Sequence, residues 1–253
     1  YLEFHVADHC NLNCKGCVHF SPLVEDEVFP NFAEVRADFL ALKNKIDYIQ
    51  KIHILGGEPF LNKEIDKYFI LAREIYPYAQ IEIVTNGLLV KSLDTELLNK
   101  ISEFNIGIFI SVYPPMYNSM GDIIEILKKH NIKIRCTDVI FDFAYTFDRE
   151  AGHAKGAKKI NCKCPNLYKG KLYVCPPIAY GEYFNKKFGN YIDLGDGAID
   201  IYDEHLTYEE IKKQLHSVKR TCDWCMFISS EDQVTRKWEQ TEDADITDYV
   251  YGI

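Results

Sequence analysis

The residues Cys10-Asn-Leu-Asn-Cys14-Lys-Gly-Cys17 put three thiols within eight positions, directly after an apolar run over residues 1–7. Gaps of three and two residues let sulfurs from one short loop converge on a single metal centre. A structural zinc site closes with four protein ligands, whereas a 4Fe–4S cluster takes one thiolate per iron. Three local cysteines without a local fourth therefore point to a cluster with one iron left open. The alternative is a zinc knuckle completed from elsewhere, with His9 and His19 flanking the loop as candidates. On either reading a metal centre sits at the end of an apolar strand, which demands a fold that gathers strand ends.

The rest of the first half meets that demand. Runs rich in Ile, Val and Phe at 2–6, 51–55, 80–84, 106–112 and 132–140 read as strands. Between them, residues 31–50, 62–76, 93–104 and 122–131 carry helical periodicity with charged faces. Alternation of this kind gives an α/β fold with parallel strands and right-handed crossovers. About five units suit an open, partial (β/α) barrel better than a closed eight-unit one. In parallel sheets, ligands bind beyond the carboxyl ends of the strands. Cys10 follows the first strand, Gly56-Gly57-Glu58-Pro59 the second and Thr85-Asn86-Gly87 the third, while Ser111 ends the fourth.

These four features in this order resemble the radical S-adenosylmethionine (SAM) superfamily over about the first half of the chain. The resemblance implies a six-strand partial (β/α)6 barrel, the sixth unit coming from the less regular stretch after residue 140. It also implies a 4Fe–4S cluster on Cys10, Cys14 and Cys17 whose open iron binds SAM. Reductive cleavage of SAM then gives a 5′-deoxyadenosyl radical, chemistry no side chain performs unaided. Gly56, Gly57 and Glu58 are expected at the methionine ammonium, with Glu58 as an anionic acceptor. Thr85, Asn86 and Ser111 are expected at the ribose or carboxylate, and Arg135 is a candidate carboxylate partner or a structural ion pair. A reducing partner such as flavodoxin or ferredoxin is implied as well. One departure stands out: the position before the third cysteine, commonly aromatic and set against adenine, is Gly16. Phe20 or Val18 is expected to supply that apolar surface instead.

Past residue 150 the texture changes. Residues 151–159 read as a linker, so the chain divides at 1–150 and 151–253. Residues 161–175 read as a hairpin turning at Lys169-Gly170, and 208–218 as a helix capped by Thr207 with Glu210 three residues on. Cys164, Gly170 and Cys175 followed by Cys222-Asp-Trp-Cys225 resemble the SPASM and shorter Twitch auxiliary-cluster regions. That resemblance implies a second 4Fe–4S cluster on Cys164, Cys175, Cys222 and Cys225; four thiolates would equally suit zinc. Cys162 and Cys136 remain as thiols, structural or catalytic.

The composition narrows the classes. A formal charge of −9, from 29 basic and 38 acidic residues, argues against a duplex nucleic acid partner. No run approaches a membrane span, and no charged-then-apolar leader precedes Tyr1. Nine cysteines in tight, odd-numbered groups suit metal binding in a reducing cytoplasm better than disulfides. Relatives of the SPASM and Twitch kind oxidise sugar-like alcohols, modify peptides or epimerise stereocentres. Peptide-modifying relatives often carry an extra leader-binding domain, for which there is no room before Cys10. A small polar substrate such as a carbohydrate or cyclitol, undergoing oxidation, is therefore the expectation. His19-Phe-Ser-Pro22 and Leu172-Tyr-Val-Cys-Pro176 further resemble short radical SAM proteins, some encoded with surface-polysaccharide genes. The rival from another class is an electron-transfer module without catalysis.

Overall fold

The structure is a computed structural model and describes residues 1–156, 162, 164–228 and 233–253. Five strands, β1 (Leu2–Ala7), β2 (Lys51–Gly56), β3 (Gln80–Thr85), β4 (Gly107–Ile110) and β5 (Ile134–Cys136), pair in parallel and in chain order. Four helices connect them: α1 (Phe32–Lys43), α2 (Ile65–Ile75), α3 (Thr95–Glu103) and α4 (Met120–Lys129). Caps set where two of these helices start. The Asn31 carboxamide accepts from Ala33 N at 2.9 Å, and the Asp94 carboxylate from Leu97 N at 2.7 Å.

Side chains alternate across each strand. Leu2, Phe4 and Val6 turn to the helices, with Phe4 meeting Phe39 of α1 edge to face at 4.9 Å. Glu3 and His5 turn to the opposite, concave side. Their neighbours in register there include His53 and Glu82. His53 is held between the Tyr1 hydroxyl and Glu82 at 2.6 and 2.9 Å. The inner face is thus polar at its base, while the helix-facing side is a continuous apolar core.

Short strands follow: β6 (Asp142–Ala144), β7 (Phe147–Asp148), β8 (Asn166–Tyr168), β9 (Lys171–Tyr173) and β10 (Ala198–Asp200). The hairpin β8–β9 turns at Lys169 (φ 47°) and Gly170 (φ 75°), the left-handed pair that a two-residue turn requires. Strand β8 pairs in parallel with β1, through Glu3 and Asn166. The sheet therefore runs β10-β9-β8-β1-β2-β3-β4-β5, and the sixth parallel strand sits beside β1 rather than beyond β5. Helices α5 (Pro176–Ala179), α6 (Gly181–Phe188) and α7 (Tyr208–Leu215) come next, and α7 begins with the expected Thr207–Glu210 capping box. The last strands, β11 (Thr235–Lys237) and β12 (Val250–Tyr251), pair with β6 and β7. Segments on either side of residue 150 are consequently interleaved. The expected linker lies partly outside the described residues; within 151–156 no helix or strand forms. No helix among the described residues is long and apolar enough to cross a membrane.

Candidate active site

The three-thiol loop, the two glycines after β2, Thr85 and Asn86 after β3, and Ser111 after β4 line one cavity with Leu12, His19 and Tyr113. Parallel strands make this possible, since every carboxyl end lies on the same rim. The glycines let the rim close. A Cβ on Gly57 would lie 2.0 Å from His9 O, and one on Gly56 1.9 Å from Ala7 O. In their absence Gly57 N reaches Ala7 O at 2.8 Å and Glu58 N reaches His9 O at 3.1 Å. The Gly-Gly pair thus seats the backbone immediately before Cys10.

Glu58 differs from the expected free acceptor. Its carboxylate is fully buried and already engaged: Oε1 accepts from Phe60 N at 3.1 Å and from the Thr85 hydroxyl at 2.8 Å, and Oε2 from Asn86 N at 2.9 Å. Burial raises its pKa to about 7 in spite of these donors. Glu58 is a strut between two rim loops. Asn86 extends the same brace, donating to Asn11 Oδ1 at 2.8 Å and to Cys10 Sγ at 3.7 Å.

Each sulfur of the loop meets donors. Cys10 Sγ also accepts from Leu12 N at 3.4 Å, and Cys14 Sγ accepts from the Trp238 indole at 3.2 Å. Cys17 accepts from the backbone of His19 and Phe20. Burial first, then the charges of Glu58 and Cys17, raise the Cys10 thiol to about 12; burial likewise raises Cys14 and Cys17. Such thiols ionise when a cation arrives, and metal uptake then releases protons. Among the described residues, no three His, Cys, Asp or Glu side chains converge as ligands of one ion. Three soft donors on one cavity wall, each met by N–H groups, fit an iron–sulfur cluster in their donor chemistry.

Other expected residues fall elsewhere. Arg135 is absent from this cavity's lining; it pairs with Glu82 (Nη2–Oε2 2.8 Å) and stacks on Phe109 at 3.7 Å. The carboxylate role is therefore corrected to a structural ion pair, one that helps hold Glu82 at about 2 against its burial. Phe20 is buried among Phe147, Phe184 and Tyr249, and Val18 lines a different cavity, so neither supplies an apolar wall here. Tyr113 does. Cys136 is exposed on β5, one residue out of phase with inward-facing Arg135, so it turns away from the concave side. It is no candidate for hydrogen-atom donation.

A second cavity, of about 310 Å³, is lined by Glu3, Val18, His19, Cys162, Cys164, Cys175, Pro176, Pro177, Cys225 and Phe227. Cys175 feels the charges of Cys225, Cys162 and Cys222, and Cys225 those of Cys162 and Cys222. Cys164 is exposed at the rim, beside Tyr1. The structure thus brings Cys162, expected as a leftover, to Cys175, Cys222 and Cys225, while Cys164 lines the same cavity just before β8.

From His19, which lines both cavities, a buried chain that sequence reasoning passed over leads away to His5 and Asp8. Asp8 accepts from His5 at 2.7 Å, and His5 meets His19 at 2.8 Å while stacking on Tyr180 at 3.6 Å. Burial lowers His5, and burial with the neighbouring His5 lowers His19 to about 3. Burial would raise Asp8, but His5 and the Tyr183 and Tyr168 hydroxyls hold it below its usual range. Period-two reading of β1 would have found Glu3 and His5 on the concave face.

A parallel half-barrel with soft thiol ligands on its carboxyl rim defines a metal-dependent barrel enzyme. The chain belongs to the radical SAM superfamily, whose family model matches residues 5–150. Membership carries a 4Fe–4S cluster and SAM as cofactors. GTP 3′,8-cyclase of Sulfurimonas denitrificans is 35% identical over 100 residues, covering 38% of this chain and 30% of that one. The Helicobacter pylori enzyme of the same name is 28% identical over 107 residues, covering 39% and 31%. The matches span less than a third of these curated relatives. A crystal structure of BtrN in complex with AdoMet and 2-DOIA shares the fold at TM-score 0.53 and 16% identity, covering 87% of this chain and 82% of that one.

Proposed function

We propose that this radical SAM enzyme oxidises a small polar substrate, carbohydrate- or cyclitol-like, with a second 4Fe–4S cluster as electron acceptor. The observation carrying the reading is His19, which lines both the three-thiol cavity and the second-cysteine cavity. A substrate beside it lies between the two thiol groups. When bound, the first cluster and SAM supply a radical that takes a hydrogen atom from a carbinol carbon, and the second cluster takes the remaining electron.

The chain's own residues do the rest. Cys10, Cys14 and Cys17 hold the first cluster, and Cys175, Cys222 and Cys225 with either Cys164 or Cys162 the second, in a Twitch-like region spanning 151–253. Thr85, Asn86 and Ser111 edge the SAM seat. Glu3, whose carboxyl is raised by burial, borders the second cavity and takes the hydroxyl proton as the carbonyl forms. Nine cysteines suit a reducing cytoplasm, with flavodoxin or ferredoxin as donor. Oxidation is favoured over epimerisation because a second group of thiols faces the same cavity as His19, where a cluster would accept the electron, while Cys136 turns outward.

The test is anaerobic turnover with candidate polyols deuterated at the carbinol. Deuterium should appear in 5′-deoxyadenosine, with a carbonyl product in equal amount. Stable solvent deuterium at the attacked carbon would reverse the reading to epimerisation. Protein with Cys10, Cys14 and Cys17 all changed to Ala should still hold one cluster's iron.

A further inference from the structure

Residues 235–241 form a strap across the metal loop. On one side β11 pairs with β6, and Trp238 N donates to Phe141 O at 2.8 Å. On the other, Lys15 N reaches Glu239 O at 2.9 Å, Thr241 N reaches Asn13 O at 2.9 Å, and the Gln240 carboxamide donates to Leu12 O at 2.8 Å. The strap thus follows the loop residue by residue from both flanks. A Cβ at Gly16 (φ +69°) would lie 2.6 Å from Asp248 O and 2.8 Å from Arg236 Nη2. The missing aromatic at position 16 and the strap are therefore one feature, because the strap and its neighbour Asp248 fill the space that a side chain would need.

At its centre Trp238 stacks on Tyr113 (5.8 Å, 26°), a wall of the thiol cavity, and its indole N–H points at Cys14 Sγ, 3.2 Å away. We infer that Trp238 is a positioning residue of the radical-generating centre, its indole N–H setting the reduction potential of the cluster through the Cys14 sulfur. Reduction adds electron density to the cluster and its thiolates. A donor to sulfur stabilises that density, so it favours the reduced state. An indole fixed by stacking and a two-sided strap makes this bond with little further ordering. The inference rests on Cys10, Cys14 and Cys17 holding a cluster.

The experiment uses full-length reconstituted protein with 15N-labelled tryptophan, reduced and examined by pulsed EPR. A nitrogen coupling to the first cluster is expected, and it should vanish in Trp238→Phe, which keeps the ring and removes the donor. In the same variant the midpoint potential should shift to more negative values with iron content and SAM affinity retained. Absence of the coupling in unsubstituted protein, or an unshifted potential in the variant, overturns the inference. Where Trp238→Phe does not fold, Trp224→Phe removes the other tryptophan and should keep the coupling; its loss there assigns the nitrogen to Trp224 and overturns the inference. Iron counting separates a different failure: a Cys10/Cys14/Cys17 triple Ala variant that loses no iron refutes the cluster assignment itself.

Discussion

Glu58→Gln tests the brace beneath the SAM seat. The carboxylate accepts three hydrogen bonds on two oxygens, from Phe60 N, the Thr85 hydroxyl and Asn86 N. A glutamine amide has one acceptor oxygen, so its NH2 must face either Asn86 N–H or the Phe60 and Thr85 donors. Thr85 cannot turn to help, because its oxygen already accepts from Gly87 N at 2.9 Å. One buried donor facing another costs about 2 kcal/mol at pH 8. The pH dependence adds a sign. Burial raises Glu58 to about 7 from its ordinary 4.5, so its stabilising contribution is full below the unfolded value and lost as pH rises through the folded one. Between pH 5 and pH 8 the unsubstituted protein loses about 2.5 kcal/mol through this group, and glutamine loses nothing. The gap between the two proteins should therefore be wider at pH 5 than at pH 8. Anaerobic denaturant unfolding of the metal-free proteins at both values measures it. A gap independent of pH, or below about 0.5 kcal/mol at both, would refute the brace.

Three further outcomes follow from the geometry. Of Cys162→Ala and Cys164→Ala, one should remove about one cluster's worth of iron and the other almost none, given one thiolate per iron; iron and sulfide analysis shows which thiol belongs. Gly57→Ala drives a Cβ to 2.0 Å from His9 O, a backbone atom that cannot swing aside. It should cost about 3 kcal/mol and most of the first cluster's iron, read by unfolding and metal analysis. Cys136→Ala should leave iron content and SAM cleavage unchanged, because β5 turns that thiol away from the concave side; a tenfold loss of 5′-deoxyadenosine formation would contradict its placement.

The first half of the fold was legible because its signals are local. Ile and Val runs gave β1 to β4 within a few residues, and Thr207 with Glu210 gave the start of α7. The rim residues were legible for the same reason: a parallel sheet collects whatever follows its strands. What escaped depends on contacts between distant segments. Nothing near Trp238 shows that it meets Cys14, and nothing local shows that Cys162 packs beside Val174 and Cys222. Glu58 is legible as an acceptor at the rim, but not the three donors it meets there. A carboxylate after Gly-Gly looks available until Thr85 and Asn86 are folded onto it. Arg135 likewise became an ion pair only once β3 supplied Glu82.

The bond between Trp238 and Cys14 joins positions 224 residues apart. During synthesis the metal loop emerges long before the segment that crosses it. A carrier of iron and sulfide meeting the growing chain finds all three thiols bare; in the finished fold Cys14 is buried beside Trp238, while Cys10 and Cys17 still line an open cavity. The order of synthesis thus offers the metal loop to its cluster before residues 235–241 exist to close beside Cys14.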